Sequence, residues 1–306
     1  MNNIPHFKTR ARILNQLGEQ LIKNEGIALL ELIKNSYDAD ATLCDIVMKN
    51  PSNAKNGEII IQDDGSGMDY ETIINVWLEI GTNHKEVLAQ NQSSKRTAKF
   101  KRMRLGEKGI GRLGVHRLGR RIELITKVEN ADYETILEID WDKADAASMI
   151  EDIPLKITKR SPLFFQQNES GTYIKISALR VAWSRKMARD CARTISALNS
   201  PFETSDSFNA LFSIDGDDKE KSWLKGLLSF DDIKDWKLFS FDISMQGKNI
   251  QKFHYEFTPW ATMPKLRPRS VCWNASDALS RIVRKRQDDD SRKKLEDRKS
   301  TRLNSS

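Results

Sequence analysis

The sequence predicts an α+β fold, a two-layer sandwich of helices on a mixed, mostly antiparallel sheet. Apolar residues recur at helical spacing between residues 10 and 39, which predicts two helices separated by Asn24-Glu25-Gly26. Short β-branched runs then predict the strands of one sheet, at 44–48, 58–62, 121–128, 134–140 and 172–177. Helices followed by successive strands are typical of this fold class.

The later elements follow the same patterns. Helical spacing returns over 71–80, behind the second strand, and over 111–118, ahead of the third. Residues 182–198 also have a helical pattern, and strands are predicted at 212–214 and 239–245.

We expect three regions along the chain. Residues 1–200 form the first domain, 201–280 begin a second α/β domain, and 281–306 are a charged tail. Residues 297–306 resemble the translation of a common DNA sequencing adapter. We therefore expect the natural sequence to leave off near Glu296, with this chain as the N-terminal part of a longer protein.

The composition excludes an integral membrane protein. The chain has 306 residues, of which 39% are hydrophobic and 30% charged, enough for one large or two modest domains. Its apolar runs are far shorter than the ~20 residues that cross a bilayer, and no signal-peptide pattern opens the sequence. We expect a cytoplasmic protein without membrane contact.

The second predicted helix carries three polar residues on one face. Glu31, Asn35 and Asp38 lie at positions i, i+4 and i+7. An isolated Glu or Asn is usually a solvated surface group, but here three polar groups interrupt one otherwise apolar helix. A carboxylate can accept a proton from water, and an amide oxygen can bind Mg²⁺, so the pair suits hydrolysis of a phosphoanhydride.

Two glycine motifs follow. Asp64 ends the second strand and enters Gly65-Ser66-Gly67, a turn that by itself is more often an ordinary Asp-Gly turn than a ligand site. Gly106, Gly109 and Gly111 precede a predicted helix, whose N-terminus could face phosphates. The spacing fits neither the Walker A loop nor the dinucleotide fingerprint.

Together, the three segments resemble the motifs of the GHKL superfamily, which includes DNA gyrase B, the ninety-kilodalton heat-shock chaperone, histidine kinases and mismatch-repair clamp ATPases. Their order and spacing match that family's N box and two glycine boxes over about residues 10–180. The resemblance implies the Bergerat-type ATP-binding fold, with ATP and Mg²⁺ as ligands. The run Glu107-Lys108-Gly109-Ile110-Gly111-Arg112 most resembles bacterial stand-alone proteins with a chaperone-like ATPase domain.

The resemblance also implies roles for individual residues. Glu31 is implied as the general base, Asn35 as the magnesium ligand and Asp38 as a residue near the nucleotide. Asp64 is implied to bind adenine, with Thr172 helping to hold it. The other residues implied to contact the nucleotide or shape its loops are Gly65, Gly67, Met68, Gly106, Lys108, Gly109, Ile110, Gly111 and Arg112. The segment 68–106 is implied as the ATP lid.

The implied function is magnesium-dependent ATP hydrolysis that drives lid closure and either dimerisation or a rearrangement, in a chaperone-like or DNA-transaction and defence system. Two alternatives stay open: a nucleotide-gated binding module with little hydrolysis, and a phosphotransferase. A histidine kinase is disfavoured, because only thirty residues precede Glu31 and His6 lies outside any helical hairpin. The family's hydrolases also use a lysine from the next domain, for which Lys225, Lys237 and Lys248 are candidates.

A basic segment, residues 95–121, precedes and includes the second glycine motif. It contains eleven Lys or Arg residues and one acid, Glu107. These cations could neutralise the triphosphate, contact a nucleic-acid backbone or remain solvated, and composition does not separate the three alternatives. Trp77 is expected in the core or at a domain interface rather than against a ligand.

Overall fold

The computed structural model describes residues 9–14, 22–79, 96–106, 114–166, 168–199, 207–228, 236–246 and 249–274. The chain divides into two compact units, Met1–Leu227 and Leu228–Ser306. Among the described residues, no helix combines the length and apolar character needed to cross a bilayer.

The first unit contains a seven-stranded sheet with the order β5-β4-β3-β6-β2-β1-β7. All neighbouring strands are antiparallel except β1 and β7, which are parallel. The strands are β1 (Leu43–Lys49), β2 (Glu58–Asp63), β3 (Gly119–Lys127), β4 (Glu134–Asp140), β5 (Leu155–Arg160), β6 (Gly171–Leu179) and β7 (Asn209–Asp215). This mostly antiparallel sheet with helices confirms the predicted α+β class.

The helices of this unit are α1 (Glu25–Asp38), α2 (Tyr70–Thr72, continued by a π-helical turn, Ile73–Trp77), α3 (Gly114–Leu118), α4 (Trp141–Ala146), α5 (Arg185–Ser196) and α6 (Asp218–Lys221). Two 3₁₀ turns, Ile150–Asp152 and Ser222–Leu224, are also present. The predicted strands and the helix α1 are found within a few residues of their predicted positions. Residues 15–21 of the first predicted helix lie outside the described residues.

Helix α1 begins where the sequence breaks at Asn24. The Asn24 side chain accepts a hydrogen bond from the amide of Ile27 at 2.9 Å, a standard N-cap. The helix ends at Asp38, and two residues later Asp40 adopts a positive φ of 61° that turns the chain towards β1.

Burial of one face of α1 against the sheet forms the core. Leu29, Leu32 and Ile33 belong to one buried apolar cluster. The sheet residues of that cluster alternate along their strands, as expected for a sheet covered on one side: Ile46, Met48, Ile59, Ile61, Leu124, Leu137 and Ile176. Other side chains of the same strands form cross-strand ion pairs, such as Lys175 with Glu58 at 3.0 Å. The covered face therefore sets the register of each strand.

The first unit extends further than the sequence predicts. The expected boundary lies near residue 200, whereas β7 pairs in parallel with β1 and the unit ends at Leu227. The run 212–214 is too short to show from sequence alone which sheet it would join.

The second unit contains a three-stranded antiparallel sheet with the order β10-β9-β8. Its strands are β8 (Phe239–Gln246), β9 (Asn249–Phe257) and β10 (Arg269–Asn274). Aromatic rings contact one another across it, as between Phe253 and Trp273, whose centroids are 5.1 Å apart. The described residues of this unit form strands and loops.

Candidate functional site

A cavity of about 300 Å³ opens between the second half of α1 and the ends of β2 and β6. It has polar and apolar walls. The lining residues are Leu32, Asn35, Ser36, Asp38, Ala39, Asp63, Ser66, Gly67, Met68, Val76, Trp77, Arg104, Thr172 and Ile174. Residues from the N box, the first glycine motif and the predicted final motif therefore line one cavity.

A larger groove of about 540 Å³ lies over β3 and β4, where Arg121, Glu138 and Lys156 line it. The carboxylate of Glu138 in this groove forms an ion pair with Lys156 at 2.8 Å, so it already has a partner within the protein. The smaller cavity has a buried carboxylate and convergent polar groups, features typical of a ligand site. We therefore place the candidate site there.

Asp63 is the carboxylate at the base of the cavity. The Ser36 hydroxyl donates to its Oδ2 at 2.7 Å, and the amides of Gly65 and Thr172 donate to its Oδ1 at 3.0 and 3.2 Å. A carboxylate offers about four acceptor positions, so one position, on Oδ2, stays open for a further donor.

Ser36 orients that carboxylate. Its single hydroxyl hydrogen is donated to Asp63, while its oxygen accepts from the thiol of Cys44 at 3.6 Å. The thiol has little acid character, since burial raises the pKa of Cys44 to about 12. Asp63 is therefore held in one orientation from behind the cavity.

Burial also changes the acidity of Asp63. Removal from water raises the pKa of Asp63 to about 6, and the hydrogen bonds from Ser36, Gly65 and Thr172 oppose that rise. Asp63 is thus ionised at neutral pH and becomes protonated in mild acid.

Asp64, the residue implied to bind adenine, does not line the cavity, and its neighbour Asp63 does. The Asp64 carboxylate accepts from the amides of Thr42 and Leu43, at 2.7 and 2.8 Å, and from the Thr42 hydroxyl. Along β2, burial alternates so that Ile59, Ile61 and Asp63 share the covered side. Extending this alternation through the strand end would have identified Asp63 from the sequence.

The glycine turn brings its backbone against the neighbouring strands. Gly67 has a φ of 64°, and a Cβ placed there would overlap the carbonyl oxygen of Lys127. A Cβ on Gly65 would lie 2.9 Å from the Ala39 oxygen. Both glycines are therefore required for the close approach of this turn to α1 and β3, as the sequence predicts.

Thr172, the threonine at the start of β6, lines the cavity. Thr126 of β3 donates its hydroxyl hydrogen to the Gly171 oxygen at 2.8 Å and accepts from the Met68 amide at 2.9 Å. In its 3.2 Å contact with Thr172, Thr126 must therefore accept, and Thr172 donates. The Thr172 oxygen keeps its acceptor positions for a ligand or water.

The N-box residues separate into two groups. Asn35 and Asp38 line the cavity, whereas Glu31, one helical turn earlier, does not. Glu31 instead pairs with Lys34 at 2.7 Å, and both side chains are about a quarter exposed. The predicted general base is therefore close to the cavity but faces another partner.

Asp38 connects the cavity to the second glycine motif. Its carboxylate accepts from the amides of Leu105 and Gly106 at 2.8 and 3.0 Å. Gly106 thus begins its loop directly against α1. The rest of the predicted phosphate loop, comprising Lys108, Gly109, Ile110, Gly111 and Arg112, lies outside the described residues, as do Lys248 and residues 80–95 of the predicted lid.

The described part of the basic segment has more than one role. Arg104 lines the cavity and donates to the Asp38 carbonyl oxygen at 3.5 Å. Arg102 is buried, while Arg96, Lys99 and Lys101 are exposed and do not line the cavity. The cations of this segment therefore differ in their surroundings, although composition does not distinguish them.

Nine lining residues were not predicted as site residues, and four of them have polar or aromatic groups that could contact a nucleotide: Ser36, Asp63, Trp77 and Arg104. Ser36 could have been found, because it lies four residues after buried Leu32 on the same face of α1. No comparable pattern identifies Trp77 or Arg104, since each reaches the cavity through contacts distant in sequence. Trp77 lines the cavity as well as packing on the core.

The cavity offers few side chains that could bind a metal ion, so phosphate oxygens of a ligand would have to supply further coordination. Within the described ranges, no three His, Cys, Asp or Glu side chains are grouped to hold a metal by themselves. Mg²⁺ commonly takes only one or two protein ligands, the rest being phosphate oxygens and waters. Asn35, with an amide oxygen at the cavity wall, fits that pattern.

The sequence matches a known family model over residues 24–172, described as "Histidine kinase-, DNA gyrase B-, and HSP90-like ATPase". Every described residue of the candidate site lies within that range except Ile174. Gly67, Asp63 and Thr172 therefore all fall inside the matched segment.

One curated relative is a provisionally named type II restriction enzyme, HgiDII of Herpetosiphon aurantiacus. It is 30% identical over 190 residues, which are 61% of this chain and 28% of the relative. The chain thus matches little more than a quarter of that protein's length. A solved structure described as the N-terminal domain of a DNA repair protein aligns with a TM-score of 0.46 and 14% identity, covering 80% of this chain and 70% of that one.

Proposed function

We propose that the cavity beside α1 binds the adenine end of ATP for magnesium-dependent hydrolysis, which the match of residues 24–172 to the model of histidine kinase-, DNA gyrase B- and HSP90-like ATPases supports. The single observation that supports adenine is Asp63. Its ionised carboxylate has one acceptor position left after three hydrogen bonds. The exocyclic amine of adenine supplies one donor.

The single open acceptor position on Asp63 also disfavours guanine. Guanine offers an N–H and an amine side by side, which pair with both oxygens of a free carboxylate. Asp63 Oδ1 already accepts from Gly65 and Thr172, so the two-point contact is blocked. The acceptor positions of Thr172 add a second polar contact for adenine or for a bridging water.

The phosphates would extend towards Asn35 and the loop that begins at Gly106. Asn35 would hold Mg²⁺ together with phosphate oxygens. The bound ion would supply charge neutralisation and polarise the phosphoryl oxygens. Arg104 at the cavity rim adds a guanidinium with the fork geometry that suits a phosphate.

For hydrolysis, Glu31 would accept a proton from the attacking water. Its carboxylate would have to leave Lys34, from which it now accepts a hydrogen bond. Such a local exchange is inexpensive, since a partly exposed ion pair contributes only about 0–1 kcal/mol. A carboxylate in this position supports water as the phosphoryl acceptor over a protein histidine.

We further propose that ATP drives lid closure over residues 68–106 and a change in association, either dimerisation or rearrangement of the following domain. The relative from Herpetosiphon supports a role in a DNA transaction or defence system over a chaperone-like role, because its printed name is that of a restriction enzyme. A nucleotide-gated module with little hydrolysis stays the alternative, and slow turnover at full ATP occupancy would favour it.

Calorimetric titration of the 306-residue chain with ATP, ADP and GTP, each with Mg²⁺, tests the nucleotide assignment. We expect ATP and ADP to bind and GTP to bind at least tenfold more weakly, because Asp63 has one open acceptor position and cannot accept both the N–H and the amine of guanine. Equal affinity for GTP, or no heat with ATP, would contradict the assignment. Phosphate release measured on the same samples separates hydrolysis from binding alone.

A further inference from the structure

Residues 96–104 form a short hairpin, hereafter the basic hairpin. Arg96 and Met103 form an antiparallel bridge. The Thr97 amide donates to the Arg102 oxygen at 2.9 Å, and the Arg102 amide donates to the Thr97 hydroxyl at 3.0 Å. The four residues that these bonds enclose, 98–101, therefore have a defined backbone.

Two carboxylates attach the basic hairpin to the end of α1. Asp40 accepts from the amides of Lys99 and Phe100 at 2.7 and 3.2 Å, and Asp38 accepts from the two amides that follow the hairpin. Burial raises the pKa of Asp40, but its hydrogen bonds from Thr97, Lys99 and Phe100 outweigh this, so the pKa lies below its usual value. Asp40 is therefore ionised at every physiological pH.

Arg102 is the hairpin's structural cation. It is 8% exposed, donates to the Ala41 oxygen at 2.6 Å, and lies over the rings of Phe100, Tyr37 and Phe208 at 4.6, 5.1 and 6.0 Å. These contacts join the hairpin to α1 and to the residue preceding β7. Arg102 is consequently unavailable to an external ligand.

Three exposed cations of the basic hairpin do not line the cavity. Among the described residues, their side chains contact only neutral groups. Arg96 donates to the Lys101 oxygen, Lys101 donates to the Ala98 oxygen, and the Lys99 ammonium lies 5.0 Å from the centre of the Phe100 ring. Across the described ranges, none of these three exposed side chains forms an ion pair with a carboxylate. Three uncompensated charges are thus held on a backbone that is already ordered.

We propose that the basic hairpin binds the phosphate backbone of duplex DNA through Arg96, Lys99 and Lys101. Neutralisation of phosphates by exposed Lys and Arg releases condensed counterions, so uncompensated cations on an ordered loop gain the most from such a ligand. The ring of Phe100 is covered by Lys99 and Arg102, so it offers no platform for the unpaired bases of a single strand. This argument is independent of the proposed ATPase.

The test is fluorescence anisotropy of a labelled duplex of about 20 base pairs, titrated with the nucleotide-free 306-residue chain between about 50 and 200 mM salt. The variant R96A/K99A/K101A is compared with K55A/R185A/K186A, which removes one Arg and two Lys from exposed positions elsewhere in the first unit. We expect the hairpin variant to lose on the order of tenfold in affinity at low salt. The slope of log affinity against log salt should become shallower by about 2.7, for three lost phosphate contacts.

The control variant should keep both the affinity and the slope of the unchanged chain. A second variant, R96Q/K99Q/K101Q, retains donors for the Lys101 and Ala98 oxygens and should give the same loss with an unchanged melting temperature. Equal losses in the hairpin and control variants would overturn the proposal. So would hairpin-dependent binding to anionic lipid vesicles that duplex DNA fails to compete, because the ligand would then be a membrane surface.

Discussion

Asp63 and Thr172 face each other across the β2/β6 ladder, and the Thr172 amide donates to the Asp63 side chain at 3.2 Å. The next strand in the sheet places Thr126 opposite Thr172, so one row across three strands carries the polar floor of the cavity. Gly171 precedes Thr172 with a φ of 152°, and a Cβ there would overlap the Asp63 carbonyl oxygen. The register of β2, β6 and β3 therefore determines which side chains meet at the adenine end of the proposed ATP site.

Substitution of the two adjacent aspartates should affect different properties: ATP affinity at Asp63 and thermal stability at Asp64. Asp63→Asn places an amide against donors from Ser36, Gly65 and Thr172, so ATP affinity should fall by about 2 kcal/mol, on the order of 30-fold. Asp64→Ala removes the hydrogen bonds to the Thr42–Leu43 turn and should lower the melting temperature while leaving ATP affinity near that of the unchanged chain. Calorimetry and thermal melts of both variants check this pair, and the reverse outcome would restore Asp64 as the adenine residue.

ATP affinity should depend on the ionisation of Asp63. Its pKa is raised to about 6 in the folded chain, so affinity should drop as the pH falls through 6 and the carboxylate becomes protonated. The folded chain also binds this proton more tightly than the unfolded chain, so the contribution of Asp63 to stability is complete below about pH 4 and is lost as the pH rises through 6. Titration calorimetry from pH 5 to 8 measures the affinity step. The Asp63→Asn variant should not show the decrease in ATP affinity that follows protonation of Asp63. It should still show the pH dependence that arises from titration of the ATP phosphates.

Glu31 should control turnover rather than binding. Glu31→Gln removes the proposed proton acceptor, so phosphate release should fall about 100-fold or more with little change in ATP affinity. Lys34→Met removes the same ion pair but keeps the carboxylate, and it should retain turnover with less than about 1 kcal/mol lost in stability. Unchanged phosphate release by Glu31→Gln would remove Glu31 from the mechanism.

Gly67 and Gly226, two of the glycines with a positive φ, should respond differently to substitution by alanine. Gly226 has a φ of 74° and open space around its Cβ position, so Gly226→Ala should cost only the left-handed strain, about 1–2 kcal/mol of unfolding free energy. Gly67→Ala adds the overlap with the Lys127 carbonyl and should cost roughly 3 kcal/mol or more, with loss of ATP affinity. Denaturant unfolding of both variants measures the difference, and similar costs would show that the turn can move away from β3.

Arg104 should affect the phosphates but not the base. Arg104→Ala should weaken ATP by about 2 kcal/mol while leaving adenosine affinity unchanged, because a guanidinium at the cavity rim pairs with phosphate oxygens. Lys101→Ala is the matched control, since Lys101 lies on the same hairpin and does not line the cavity. An equal loss for adenosine would instead place the guanidinium over the purine ring.

Patterns of residues close together in the sequence predicted much of the secondary structure and several residues of the candidate site. Helical and strand periodicity predicted α1 and six of the seven strands of the first sheet, because each pattern depends on residues a few positions apart, but β5 was not predicted. The N box and the glycine motifs are similarly short, so the family could be recognised before any contact was known. Asn35, Asp38, Gly67, Met68 and Thr172 were named from sequence, and all line the cavity.

Contacts between distant residues determined the remaining assignments. Asp63 lines the cavity and Asp64 does not, because β2 is covered on one side and its alternation sets which carboxylate faces α1. Arg102 and Arg104 are separated by one residue, yet one is buried among aromatic rings and the other borders the cavity. Their positions depend on Asp38 and Asp40, some sixty residues earlier, and on Phe208, about a hundred residues later. Such pairings arise only when the sheet and α1 pack together, since no local spacing encodes them.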